Sequence, residues 1–415
     1  VTSQHTPDAV EDASFGPTIV HTGTGPSGYE VTLRYAAPEA EAVGLVGDVF
    51  FTQPEAIGPD LSHEARLGDE WKPGDVAMPL MVAPPVPLTQ VADGVWEISF
   101  ALPVGTYSYG FVEGECSIAL VCTSSLDPAN PPVLSGTAAA SAQHLSQVHV
   151  PFDPDFPTYE ATYELPLDTG SGRGEVSLVT YVGALDGAER PLGVYVPAGY
   201  DPDRAEPYPL LVLSHGAGGN ETTWFSEGAA ANLLDHAIAD GAIPPVVAIT
   251  TDFSGLGETA MGTDAFYADY RDELIEGVLP FVEREFNVAT TGEGRAFGGL
   301  SMGGALGLSL LRTEPALFDW WGLWSAAADL GENEPAPLTD SQLAAAGHVQ
   351  GVHIGTGRQD YLEGIGALSM ARADVFASQG LPVTSFDVDG GHAWQVWRRE
   401  LDDFLRRVAF ADAAE

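Results

Sequence analysis

The chain has 415 residues, 45% of them hydrophobic, which is more than one ordinary core holds and ample for two. Acidic residues number 59 against 16 basic ones, Lys72 is the only lysine, and the formal net charge is -43. Such a surface repels nucleic acid and anionic membranes, so neither is expected as a partner, and no apolar run reaches the roughly 18 residues that cross a bilayer.

The first 24 residues are polar and rich in Gly, Pro and Thr, and read as a tail or an early edge strand. The chain opens at Val1 without Met or a leader pattern, as expected of a processed mature chain or a trimmed one. Alternation then sets in. Val31, Leu33 and Tyr35 share one strand face, as do Trp96, Ile98 and Phe100, and then Tyr107, Tyr109 and Phe111. With 43–51, 76–82 and 147–152 these runs make six or seven short strands bounded by turn residues, with no helical period between them. An immunoglobulin-like β-sandwich over 25–155 is the expected product.

Cys116 and Cys122 are close enough to clip a local loop; a bridge there implies an oxidising, extracellular compartment, and two free thiols are the alternative. With no His beside them and no second pair, a zinc site is not expected. Residues 156–174 contain prolines and glycines suited to a linker.

From 175 to 415 strand and helix patterns alternate. Strands are expected near 175–183, 191–197, 209–214, 245–251, 296–300, 320–324, 349–355 and 383–388, with helices over about 265–286, 305–311, the 360s and 370s, and 395–410. This is the pattern of a mostly parallel sheet with helices on both faces, whose chemistry sits on loops at the C-terminal strand ends.

Between the strand from Ala296 and its helix lies Gly299-Leu300-Ser301-Met302-Gly303, a G-x-S-x-G elbow with Ser301 as candidate nucleophile. A serine hydroxyl needs a base, and the base needs an acid to hold its tautomer. In an α/β-hydrolase the chain order is Ser, Asp or Glu, His, which leaves His348, His353 and His392. His353 sits in an apolar strand and reads as a core residue, whereas His392 lies on the loop after the last strand and is the candidate base. Asp360, past the strand ending at Gly355, is the candidate acid, with a helix cap as its alternative role.

The oxyanion needs two preorganised N–H donors. The Met302 amide is one, and Ala217, with Gly216 as its rival, supplies the other from the turn after Leu211-Val-Leu-Ser214. His215 precedes the nucleophile and is read as shaping that turn. Trp224 and Trp394 are candidate substrate-binding residues, although core packing accounts nearly as well for Trp394 and Trp397, which open the last helix at i and i+3. No metal or cofactor is required.

The segments 213–224, 298–304, 355–360 and 390–397 together resemble the esterase D and feruloyl-esterase group of carbohydrate esterase family one. The resemblance covers about 174–410 and implies an α/β-hydrolase with a Ser301-His392-Asp360 triad and an acyl-enzyme intermediate. Its acid turn is longer here than the usual Gly-Thr-x-Asp. The front domain resembles the early-set, starch-module-like domain that some of these esterases carry, and is expected either to bind glycan or to cap the pocket. The resemblance implies a secreted hydrolase of feruloyl or acetyl esters on plant polysaccharide. Polyester, siderophore-ester or other short-acyl hydrolysis and acyl transfer are alternatives on the same fold, and a non-catalytic glycan-binding protein is the alternative from another class. The oligomeric state is left open.

Overall fold

A computed structural model describes residues 15–58, 66–77, 85–117, 122–134, 145–156, 161–167, 172–257, 260–332 and 334–411. Period-two patterning in the front half produces two facing four-stranded sheets. One runs Gly16–His21, Tyr29–Ala36, Val95–Ala101, Thr89–Ala92; the other runs Ser146–Val150, Gly105–Glu113, Val43–Gly47, Val86–Pro87. Val31 lies opposite Phe100 and Leu33 opposite Ile98, so the alternating apolar sets of neighbouring strands share a face. That face closes on Tyr109, Phe111 and Val148 of the second sheet to form one core.

Of the two roles read for the first segment, tail or early edge strand, 16–21 takes the second: it pairs along the whole of Tyr29–Arg34 at the edge of its sheet, so the sandwich begins before residue 25. The run 43–51 is two strands, since Asp48 interrupts it and Phe50–Thr52 joins a small separate sheet. Of the strand expected over 76–82, Val76–Ala77 is present and the remainder lies outside the described residues. The segment expected as a linker is docked: Glu164, 2% exposed, accepts the Thr106 amide at 3.0 Å.

The second half is built on one eight-stranded sheet. Its strands are β1 (Glu175–Val182), β2 (Glu189–Val196), β3 (Leu210–Ser214), β4 (Val247–Thr251), β5 (Arg295–Leu300), β6 (Trp320–Trp324), β7 (Gly351–Gly357) and β8 (Val383–Val388). Their order is β1-β2-β4-β3-β5-β6-β7-β8, antiparallel at β1, β2 and β4 and parallel from β4 onward. The central strands read as unbroken apolar runs because helices cover both faces. One face buries Val212, Phe297, Leu308 and Trp321; the other buries Leu211, Leu213, Trp324 and Phe404.

The helix expected over 265–286 is interrupted by a π turn at Leu274–Val278. The helix Ala230–Ala239, missing from the sequence reading, packs on the last helix, Trp394–Arg407. The order of β3 and β4 puts β3 and β5 side by side, so the turns that follow them open at the same sheet edge.

Candidate active site

Ser301 occupies the turn between β5 and the helix Met302–Thr313 with φ 52° and ψ -114°, a left-handed conformation that a non-glycine residue adopts only under constraint. The constraint is visible. Its amide donates to Trp324 O at 2.8 Å, its carbonyl accepts from Ala305 N and Ala327 N, and its flanking glycines sit where side chains cannot. A Cβ on Gly299 would lie 2.5 Å from the Gly303 carbonyl carbon, and one on Gly303 would lie 2.5 Å from His215 O. The elbow is thereby pressed against the turn after β3.

Ser301 Oγ lies 3.0 Å from His392 Nε2, and His392 Nδ1 lies 2.8 Å from Asp360 Oδ2. With Asp360 accepting from Nδ1–H, Nε2 is the lone-pair nitrogen facing the hydroxyl. Asp360 is 2% exposed. The two extra residues of its turn hold the acid and base loops together. Gln359 N donates to Gly390 O at 3.0 Å while Gln359 Oε1 accepts from Gly390 N at 2.7 Å, and Arg358 binds Asp387 and Asp389.

A second carboxyl lies behind this relay. Glu400, on the last helix, is wholly buried, and a Cβ on Gly355 would sit 2.7 Å from its Oε1. Burial first, and the neighbouring Asp360 charge second, push its carboxyl well above the usual range. Neither Glu400 oxygen nor Asp360 Oδ1 finds a partner among the described residues.

On the other side of Ser301, the Gly216–Ala217 turn closes in: a Cβ on Gly216 would lie 3.2 Å from Ser301 Cβ. The Met302, Gly216 and Ala217 amides are taken by no other acceptor among the described residues, so all three are available to a developing oxyanion. His215 is fully buried, stacks on Phe253, and has both ring nitrogens engaged, Nδ1 with Gly216 O at 2.7 Å and Nε2 with Asp252 at 3.0 Å. It holds the turn. His353 is equally buried, accepting from Trp324 Nε1 at 2.9 Å and donating to Asp403 at 3.0 Å, as a satisfied core histidine does.

A cavity of about 180 Å³ opens over Ser301 and His392, lined by Trp394, Trp397, Leu300 and Leu362. Trp224 requires a correction: it is fully buried, gives its indole N–H to Ser214 O at 3.0 Å, and packs edge-on against Trp324 and Trp394 without reaching the cavity. It supports the pocket wall from behind. Trp394 does line the cavity.

The sequence reading missed residues brought in by the front domain: Asp48, Ser108 and Leu145 line the same cavity, facing Glu227 of the hydrolase half. The seam is tied by Arg398, wholly buried, which donates to Glu227 O and to Thr106 O and lies within 3.7 Å of Asp48 and 3.5 Å of Glu164. Burial raises Asp48 to about 6, and burial together with the Asp48 charge raises Glu227 to about 8. One signal was available: Asp48 is a lone charge in the apolar run 43–51.

A hydroxyl, an imidazole and a carboxylate in series beneath free amides, at the C-terminal edge of this sheet order, define an α/β-fold serine hydrolase. The Esterase family model matches residues 184–408, more than half the chain, and the chain belongs to that family. The endo-1,4-beta-xylanase/feruloyl esterase of Xylanibacter ruminicola is 30% identical over 244 residues, which cover 57% of this chain and 31% of the relative. The chain thus spans about a third of that relative's length. A ferulic acid esterase structure from Anaeromyces mucronatus covers 60% of this chain and 96% of its own, with 19% identity and a TM-score of 0.52. The enterobactin esterase of Shigella flexneri covers 94% of this chain and 95% of its own, with 15% identity and a TM-score of 0.55, so the two-part architecture is shared as a fold.

Proposed function

We propose that the chain is a secreted serine carboxylic ester hydrolase that cleaves hydroxycinnamoyl or acetyl esters of plant polysaccharide through an acyl-enzyme. The single observation that carries the chemistry is the hydrogen-bonded series Ser301, His392, Asp360 at the floor of a mostly apolar cavity. His392 Nε2 takes the hydroxyl proton as Ser301 Oγ attacks the ester carbonyl. Asp360 fixes the Nδ1–H tautomer and stabilises the imidazolium. The Met302 amide, with that of Ala217 or Gly216, holds the tetrahedral oxyanion. His392 returns the proton to the alcohol, and water repeats the cycle on the acyl-enzyme.

The substrate class is supported by the bifunctional xylanase and feruloyl esterase relative and by a cavity walled by Trp394, Trp397 and Leu145, suited to a flat apolar acyl group. An acidic surface disfavours polyanionic esters. Secretion is supported by the Cys116–Cys122 bridge, which persists only where thiols are oxidised.

The test is turnover of p-nitrophenyl acetate, methyl ferulate and acetylated xylan by the chain and by Ser301→Ala. The variant is expected to lose on the order of 10⁶ in kcat. Equal rates from both would leave the chain without esterase chemistry at this serine, as a glycan-binding protein on a hydrolase scaffold.

A further inference from the structure

The cavity over Ser301 has an open rim and a sealed wall. Ala217 is exposed and Leu362 half-buried at the rim. Asp48, Ser108, Leu145 and Glu227 line the cavity too, and each is 6% exposed or less. They pack as one wall. Asp48 accepts the Ser108 amide and, at 2.8 Å, the Gln395 side-chain amide, while Arg398 ties it to Glu227.

Of the two acids in this wall, Glu227 is the one left to a ligand. Both Asp48 oxygens are engaged, and Arg398 donates to the Glu227 carbonyl rather than to its carboxyl. The carboxyl has Trp394, another lining residue, as its neighbour. With no cation paired to it among the described residues, it is most stable as a neutral acid, and burial first and the Asp48 charge second raise it to about 8. A neutral carboxyl both gives and receives a hydrogen bond, and a hydroxyl does the same in return. A carboxylate in its place would face two acids, and a cation would face the Arg398 guanidinium, 3.7 Å from Asp48.

We propose that Glu227 is a specificity residue: its carboxyl exchanges hydrogen bonds with a hydroxyl at the far end of a flat acyl group whose carbonyl lies at Ser301. The hydroxyl belongs to the acyl group because a polymer-linked alcohol has to leave toward solvent, past the rim, and this wall is closed. Trp394 and Trp397 flank the ring with an apolar contact that an acetyl group is too small to make. Hydroxylated aromatic acids are thus favoured over acetate. The placing of the ester rests on the esterase reading; the recognition of the hydroxyl does not.

The experiment compares kcat/KM for methyl 4-hydroxycinnamate and methyl cinnamate in the unsubstituted chain, in Glu227→Gln and in Glu227→Leu. The hydroxylated ester is expected to be favoured about tenfold through KM, and to stay so in Glu227→Gln, which still donates and accepts. In Glu227→Leu the preference is expected to vanish. A purely structural role lowers both rates together and leaves their ratio alone. Equal rates on the two cinnamates, or a preference that survives in Glu227→Leu and in Glu227→Ala, overturn the proposal. A second pair, 4-hydroxybenzyl acetate and benzyl acetate, locates the hydroxyl. Their ratio is expected to be the same with and without Glu227→Leu, and a fall would move the hydroxyl to the alcohol and overturn the proposal too. Calorimetry of Ser301→Ala with both cinnamates, with and without Glu227→Leu, reads the same difference as affinity. It needs no turnover, so an inactive chain that discriminates through Glu227 keeps this assignment and loses only the esterase reading.

Discussion

Asp360 shares its surroundings with a carboxyl outside the relay. Glu400 is buried beside it, and burial first and the Asp360 charge second push its carboxyl well above the usual carboxylate range. Asp360 Oδ2 meets His392 Nδ1 at 2.8 Å, where an acceptor oxygen selects the Nδ1–H tautomer. Asp360→Asn is therefore expected to keep the fold and lower kcat by about 10⁴, because the amide no longer selects the Nδ1–H tautomer. Comparison of kcat and the melting temperature for p-nitrophenyl acetate hydrolysis checks this, and a loss of less than tenfold would remove Asp360 from the relay. Asp360 was legible because its strand end could be read from the apolar run before it. Glu400 was not, because one acid in the charged stretch Arg398-Arg-Glu-Leu-Asp402 looks like surface until the sheet is seen to lie against that face of the helix.

The elbow and the turn after β3 behave as one element. Gly303 exists so that the helix beginning at Met302 can lie against Ser214 and His215, which sets the Gly216–Ala217 amides over Ser301. Gly303→Ala is expected to destabilise the chain by about 1–3 kcal/mol, through a Cβ forced against the His215 carbonyl. The same shift withdraws an oxyanion donor, with a further loss of about 10²–10³ in kcat. Chemical denaturation and steady-state kinetics separate the two; intact kcat would mean that the turn is positioned independently of the helix. Most elements of this half were readable because they are long apolar runs or carry a motif. The helix Ala230–Ala239 was legible but passed over: Ala230, Leu233, Leu234 and Ala237 recur at i, i+3, i+4 and i+7, and it is this stripe that is buried.

The two halves are joined through charge. Glu227 is raised to about 8 from an ordinary 4.5, so between those values the folded chain keeps a proton that the unfolded chain has lost. Stability then falls as pH rises through that window and is fully present below it. Asp48, raised to about 6, acts in the same direction but only below that pH. Glu227→Gln is expected to flatten the decline in melting temperature between pH 6 and 8, where Asp48 no longer contributes; a slope equal to wild type would place the buried proton elsewhere. The sequence divided the chain into a β-rich front and an α/β back, because the change of period is local. It could not show that they share a cavity, because Asp48 and Gln395 are far apart in sequence and meet only when both halves are packed.

Arg398 reaches across that junction to a backbone carbonyl at Thr106. A guanidinium sealed in this way makes the halves poor candidates for exchange. Any replacement front module has to present a carbonyl at the same spot and acids at the places of Asp48 and Glu164, or leave a cation stranded where solvent cannot reach it. Shuffling among relatives should therefore succeed only when the first turns of the final helix travel together with the module they clasp.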